Sequence, residues 1–125
     1  MTEKPEILAL QQSYATCRMH QEALCEALID LAQRDLTEKM LQNLDKQQRR
    51  LLDQFTYRYI RLQDDIGNRL MKAVLLALEE DIAAMPVIDR LNRLEQLEWL
   101  PSAEEWMELR KIRNDFTHEY PETMK

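Results

Sequence analysis

The chain has few of the residues that build tight turns, with only one glycine and four prolines among its 125 residues. So little glycine leaves almost no material for hairpin turns or for a Gly-rich phosphate loop. The abundant Leu, Ala, Glu, Gln and Arg instead favour helices. We therefore predict an all-α protein with a single domain over residues 1–125, a size that can bury one core.

The chain also lacks long apolar runs. The longest, AVLLAL at residues 73–78, is far shorter than the roughly 20 residues that span a bilayer. The opening residues, MTEKPEILAL, have neither the basic region nor the apolar stretch of a signal peptide. These features predict a soluble, cytoplasmic protein with no membrane partner.

Cysteine and histidine are scarce as well, with two of each. Cys17 and Cys25 lie about 12 Å apart along one predicted helix, too far for a disulfide, so we expect reduced thiols that face the core. His20 and His118 complete no metal-ligand pattern with them. We predict neither a metal site nor a cofactor.

The net charge of −6 argues against a nucleic-acid partner, because binding to phosphates needs Lys and Arg. Its distribution weakens that objection. Residues 46–72 sum to +4 and residues 109–125 to +1, whereas residues 1–45 sum to −4 and residues 73–108 to −7. Such unevenness also arises by chance in charged helical proteins, so both interpretations stay open.

Apolar residues at three-four spacing predict four helices. The first covers residues 6 to about 34, and the second runs from a capping box at Asp35 and Glu38 to about residue 80. Gly67 lies inside the second helix, which predicts a kink or another backbone passing close by. The third opens at Pro86, and the fourth follows Pro101, where Ser102 and Glu105 have the spacing of a capping box.

Short connections between four helices predict an up-and-down bundle. The second stripe is long, about 40 residues or roughly 60 Å if it is one helix. Either this helix breaks or part of it packs on another subunit.

The fourth helix ends in the sequence RNDFTHEY, residues 113–120. Arg113 occupies the apolar stripe, where a charge must be paired, lie in a polar cleft, or reach solvent by snorkelling. Helical geometry pairs Asn114 with His118 and Arg113 with Tyr120, and it separates Arg113 from His118 by about 140°. Asn114 could therefore orient a general acid or base at His118, while a lone histidine at a helix end is more often a favourable dipole partner.

The pattern R-N-x3-H-x-Y on the last helix of a small all-α chain resembles the signature of HEPN-domain proteins, in particular the HepT-like toxins. The resemblance implies a HEPN-like helical bundle that forms a homodimer with two motifs lining one cleft. It also implies a metal-independent endoribonuclease acting on RNA. His118 would then be the general acid/base, Arg113 would hold the phosphate, and Asn114 would orient them.

The same resemblance implies a toxin–antitoxin pair. The partner would be a minimal nucleotidyltransferase antitoxin that silences the toxin by transferring AMP to Tyr120. Two alternatives stay open. The chain could be a non-catalytic substrate-binding subunit of a nucleotidyltransferase that presents RNA or a nucleotide, or a structural four-helix adaptor in which the motif is only a helix end.

Several residues of the second helix are candidates for supporting roles. Charged residues form a row at three-four spacing: Arg58, Arg61, Asp65, Arg69 and Lys72. This row is either a solvated face or a flank of an RNA cleft or partner surface. Asp64 and Asp65 could pair with Arg113 or His118 and complete a polar site. We expect Tyr57 and Tyr59 to be core or dimer-interface residues rather than base-stacking platforms.

Overall fold

The computed structural model describes residues 4–33 and 42–119, and within these ranges the chain is helical without a strand. This confirms the predicted all-α class. The elements are α1 (Pro5–Ala32), α2 (Lys46–Asp65), the π turn (Ile66–Leu70), α3 (Met71–Ala77), α4 (Val87–Gln96) and α5 (Ala103–Glu119). The π turn joins α2 to α3 without a break, so these three elements form one continuous helix. The described residues therefore contain four helices.

The continuous helix formed by α2, the π turn and α3 is the centre of the molecule. α1 runs antiparallel to it, since Lys4 lies near Glu79 and His20 contacts Arg58. α5 is also antiparallel to it, because its end packs on α2 through Phe116 and its start lies against the π turn. These directions agree with the predicted up-and-down arrangement.

The second predicted helix is interrupted within its apolar stripe. The predicted capping box at Asp35 and Glu38 lies outside the described residues, but residues 43–45 are not helical and α2 starts at Lys46. There the Asp45 side chain accepts a hydrogen bond of 2.7 Å from the Gln48 N–H, and the Gln48 side chain accepts one of 3.0 Å from the Asp45 N–H. The helix therefore breaks here, which is one of the two alternatives that the length of the stripe left open, and this reciprocal box satisfies free N–H groups at the new helix start.

Gly67 lies in the π turn, opposite a tryptophan. A Cβ at this position would lie 3.3 Å from Cζ2 of Trp106, on α5. The close neighbour is thus a side chain rather than the backbone that the sequence suggested. π turns inside α-helices carry one extra residue per turn, so the helix changes its geometry at the position where its only glycine admits the indole ring.

The apolar core lies at one end of the bundle, where α3, α4 and the start of α5 meet. Leu75, Leu91 and Leu94 are almost completely buried there, and each contributes roughly 1.5–3 kcal/mol by leaving water. Met71, Ile82 and Ala103 complete the cluster, with Trp106 packed on it. The RNDFTHEY segment begins at the other end of α5, away from this core.

Two helices end without the glycine that usually terminates them. Glu79 follows α3 with φ 63° and Glu98 follows α4 with φ 65°. In both, the next N–H reaches back to the helix, from Glu80 to the Leu75 carbonyl and from Trp99 to the Leu94 carbonyl, each at 2.9 Å. These are Schellman motifs. A glycine-poor chain therefore uses glutamate in the left-handed region.

The two thiols differ in exposure. Cys17 is buried and Cys25 is exposed, and both are free. The expectation that both face the core is wrong for Cys25, because eight residues along an α-helix correspond to a rotation of about 80°. Within the described ranges, no helix combines the length and the apolar character needed to cross a membrane.

Candidate functional site

Arg113 lies on the side of α5 that faces α2, with 21% of its side chain exposed. Its Nε donates to Oδ1 of Asp64 and its Nη2 donates to Oδ2, both at 2.9 Å. Such a bidentate pair holds the guanidinium in one plane. The predicted pairing of Asp64 with Arg113 is confirmed, and it explains how a charge can occupy an apolar stripe.

Asp64 accepts from a second arginine as well. Nη1 of Arg110 donates to Asp64 Oδ1 at 2.7 Å, and it also lies 3.3 Å from the side-chain oxygen of Gln63. Partial burial by itself would raise the pKa of Asp64, but the hydrogen bonds and charges of Arg113 and Arg110 outweigh burial and lower the pKa. The carboxylate therefore stays ionised and orients two arginines at once.

The third nitrogen of Arg113 points along α5. Nη1 donates to Oγ1 of Thr117 at 3.2 Å and lies 3.4 Å from Oδ1 of Asn114, close to the limit of a hydrogen bond. The Thr117 hydroxyl in turn donates to the Arg113 carbonyl at 3.1 Å. Asn114 thus contacts Arg113 rather than His118. Among the described residues, the predicted hydrogen bond from Asn114 to the imidazole is not formed.

His118 is exposed in the last turn of α5. No described residue forms a hydrogen bond or ion pair with its imidazole. Because Arg113 faces α2 while His118 is rotated by about 140° around the helix, the two side chains do not meet in one chain. Tyr120, the predicted AMP acceptor, lies outside the described residues.

An aromatic cluster anchors this half of α5. Phe116 packs edge-on against Tyr59, with ring centroids 5.3 Å apart, and against Phe55 at 6.4 Å. The Tyr59 hydroxyl donates to the Leu109 carbonyl at 2.9 Å, and burial raises its pKa. The expected packing role of Tyr59 is confirmed, whereas Tyr57 is exposed.

Asp65 has a different environment from Asp64. Its Oδ2 lies 3.1 Å from Nε2 of His20, on α1, and 3.8 Å from Nη2 of Arg61. The prediction that Asp65 pairs with Arg113 or His118 is wrong. Consecutive helical residues are rotated by about 100°, so when Asp64 faces α5, Asp65 faces α1. Arg61 belongs to the α1 side too, as an exposed neighbour of Asp65.

His20 is the residue that sequence reasoning missed. It is 5% exposed, and its Nδ1 lies 3.0 Å from Nη1 of Arg58. Since arginine only donates, Nδ1 accepts and Nε2 carries the proton toward Asp65, at ion-pair distance but without the alignment of a directed hydrogen bond. Its spacing could have indicated a buried position, since His20 lies three residues after Cys17 and four before Leu24, on the predicted apolar stripe.

This network also changes the interpretation of the charged row, which runs from α2 through the π turn into α3. Asp65 is buried and Arg58 is half-buried against α1, whereas Arg69 and Lys72 are exposed. Burial, followed by the charge of Asp65, raises the pKa of the nearby Cys17 thiol. The row is thus neither one solvated face nor one continuous cleft wall. Among the described residues, no group of three His, Cys, Asp or Glu side chains is arranged to hold a metal ion.

In comparisons with known proteins, no family model, curated protein or solved structure matches this chain.

Proposed function

We propose that this chain is a HEPN-like, HepT-type endoribonuclease toxin that works as a homodimer without a metal. The observation that supports it best is the fixed arginine: in the R-N-x3-H segment, Asp64 and Thr117 hold the guanidinium of Arg113 in one orientation at the surface. A planar, pre-oriented cation suits a phosphodiester. The exposed imidazole of His118 is free to meet a substrate from solvent.

The proposed reaction is cleavage by the RNA's own ribose. His118 accepts the proton of a 2′-hydroxyl while that oxygen forms a bond to the adjacent phosphorus, and the bond to the 5′-oxygen breaks. The products are a 2′,3′-cyclic phosphate and a 5′-hydroxyl that takes up a proton. Arg113 stabilises the charge that develops on the phosphate oxygens.

A dimer is needed because the two side chains face different directions in one chain. A second copy of α5 would bring His118 of one protomer near Arg113 of the other. Apolar surface beside the motif supports this arrangement, since Leu109 and Ile112 on α5 are 39% and 43% exposed. Covering such side chains with another copy removes apolar area from water.

Silencing by AMP transfer to Tyr120 is part of the proposal, with a minimal nucleotidyltransferase as the antitoxin. Tyr120 follows Arg113 by seven residues, almost two helical turns. If the helix continued to it, an adenylyl group there would add negative charge and bulk on the side of Arg113.

Expression without a partner tests the nuclease. We expect wild-type protein to arrest growth and cleave RNA in the presence of a chelator, and His118→Ala and Arg113→Ala to abolish both. Lys111→Ala, an exposed cation on the same helix, is the matched control and should remain toxic. Toxicity that survives His118→Ala would overturn the mechanism. Circular dichroism separates lost chemistry from lost fold.

The modification has its own test. Incubation with the nucleotidyltransferase and ATP should add the mass of an adenylyl group to wild type but not to Tyr120→Phe. Addition to Tyr120→Phe at the same level would refute the acceptor.

A non-catalytic binding subunit is the second candidate, and one observation favours it. Asp64 already neutralises Arg113, and Asn114 contacts Arg113 instead of orienting His118. Such an arrangement also fits an arginine that only positions a bound strand. Wild-type protein that binds RNA or a nucleotide but leaves RNA intact would favour this role.

A further inference from the structure

A cavity lies beside the candidate site, lined by the π turn, the start of α3, α4 and α5. Its volume is about 270 Å³, just below the roughly 300–1,000 Å³ of ligand pockets. A small ligand, or one unit of an extended ligand, would fill it. Three cations line it and no carboxylate does: Lys72, Arg90 and Arg110.

The wall of this cavity depends on the helix geometry described above. The π turn provides Gly67 and Asn68, and because Gly67 has no Cβ, the indole of Trp106 lies directly against the helix. Leu91 and Met107 extend the apolar side. The cavity therefore combines an aromatic and apolar wall with a cationic rim.

The charges on the rim are only partly neutralised. Lys72 is exposed and forms no hydrogen bond or ion pair with any described residue. Arg90 is half-buried, and its Nε donates to the Met85 carbonyl at 3.1 Å, which fixes the side chain without a carboxylate. Arg110 alone meets an acid, at Asp64. In a chain of net charge −6, this local excess of positive charge favours an anionic ligand.

We propose that this cavity binds one phosphate-bearing nucleotide unit, with the base against Trp106 and the phosphate between Lys72 and Arg90. Aromatic walls beside cations are how proteins hold unstacked bases and their backbone. Arg110 lines the cavity and shares Asp64 with Arg113, so a strand bound here passes the candidate site. The assignment of this unit to single-stranded RNA rests on the proposed function. The inference that the cavity binds a nucleotide unit rests on its lining alone.

Binding measured without cleavage tests the cavity. In a His118→Ala background, a short fluorescein-labelled single-stranded oligoribonucleotide is titrated by anisotropy, and free AMP by tryptophan fluorescence. The chain has two tryptophans, so Trp99→Phe leaves Trp106 as the reporter, and we expect quenching on binding. Lys72→Gln should weaken binding about tenfold, the size of one charged hydrogen bond, and Lys72→Arg should restore it.

Lys46→Gln is the matched control, because Lys46 is an exposed lysine at the start of α2 and does not line the cavity. It should change binding less than about twofold, within the range of a screened surface charge. Lys72→Gln should also reduce the salt slope of RNA binding by about 0.7, the loss of one phosphate contact on a single strand. Equal weakening by both variants, or binding of either ligand that leaves Trp106 fluorescence unchanged, would overturn the proposal.

Two further results separate the sources of the ligand. Binding of AMP that depends on Lys72 supports a site for free nucleotides as well as strands, and Lys72-dependent binding of the oligonucleotide alone supports a strand subsite. If neither binds, the cavity proposal fails. If Lys72-dependent binding stands while wild-type protein leaves RNA intact, the cavity proposal holds and the nuclease function fails.

Discussion

Two adjacent carboxylates, Asp64 and Asp65, contact different neighbouring helices from the same helix and do so in different ways. Asp64 faces α5, holds Arg110 and Arg113, and keeps 23% of its side chain exposed. Asp65 faces α1, lies beside His20 and keeps only 7% exposed. An ion pair that solvent can reach is also one that a phosphate can reach, whereas a buried pair is costly to disturb. Under the proposed function, ligand chemistry belongs to the α5 side, and the α1 side is structural.

The largest effect should come from the buried side. Asp65→Ala removes the buried carboxylate that lies 3.1 Å from Nε2 of His20, so we expect a loss of about 2–3 kcal/mol in the free energy of unfolding. Urea titration followed by circular dichroism measures it. Asp53→Ala, an exposed aspartate on the same helix, is the control and should change stability by less than about 0.5 kcal/mol.

The next effect should come from the exposed side. Asp64→Ala should cost about 1 kcal/mol, because its pairs with Arg110 and Arg113 are partly screened by solvent. Under the proposed function, the same variant should reduce RNA cleavage much more than stability, since Arg113 loses its orientation. If Asp64→Ala destabilised the protein more than Asp65→Ala, the assignment of the two sides would be reversed.

The stability of the protein at low pH should show the contribution of Asp64 on the α5 side. The pKa of Asp64 is lowered below its ordinary value of 3.8, so its stabilising contribution is present above that value and is lost as the pH falls below it through the folded-state pKa. Wild type should therefore lose stability more steeply than Asp64→Asn below about pH 4. Parallel acid unfolding curves would show that Asp64 contributes nothing through its charge.

The smallest effect should come from Arg61. It lies 3.8 Å from Asp65 and its side chain is 45% exposed, and pairs of this kind on a helix surface contribute about 0.3–0.5 kcal/mol. Arg61→Gln should therefore shift the urea midpoint by an amount close to experimental error. A loss as large as that of Asp65→Ala would place Arg61 inside the buried network instead of at its edge.

Local signals in the sequence predicted several helix ends correctly. Pro86 and Pro101 precede α4 and α5, and Ser102 accepts the Glu105 N–H at 3.1 Å as the capping pattern predicts. The break at residues 43–45 was not located in the sequence, although Asp45 and Gln48 have the same capping-box spacing as Asp35 and Glu38. A capping box joins residues three apart, so it can be found in a sequence when the search allows Asp as well as Ser or Thr at the first position and Gln as well as Glu at the last.

The partners of charged residues were harder to predict. Arg113 on an apolar stripe could be paired, lie in a polar cleft or snorkel to solvent, and Asp64 was one of two candidate acids for a pair. The choice between Asp64 and Asp65 needed the rotation of α2 relative to α5, which depends on how both helices pack. His20 was missed for the same reason: its partners, Arg58 and Asp65, lie 38 and 45 residues away.

The sequence by itself determined that the chain is helical, where most helices stop, and that Arg113 lies on an apolar stripe, because these follow from spacing within one helix. The tertiary structure decided which acid met which base, that a π turn and Gly67 admit Trp106, and that Asn114 turns toward Arg113 rather than His118. A helical sequence specifies the angle of each side chain about its own axis. Only packing specifies what lies at that angle on the neighbouring helix.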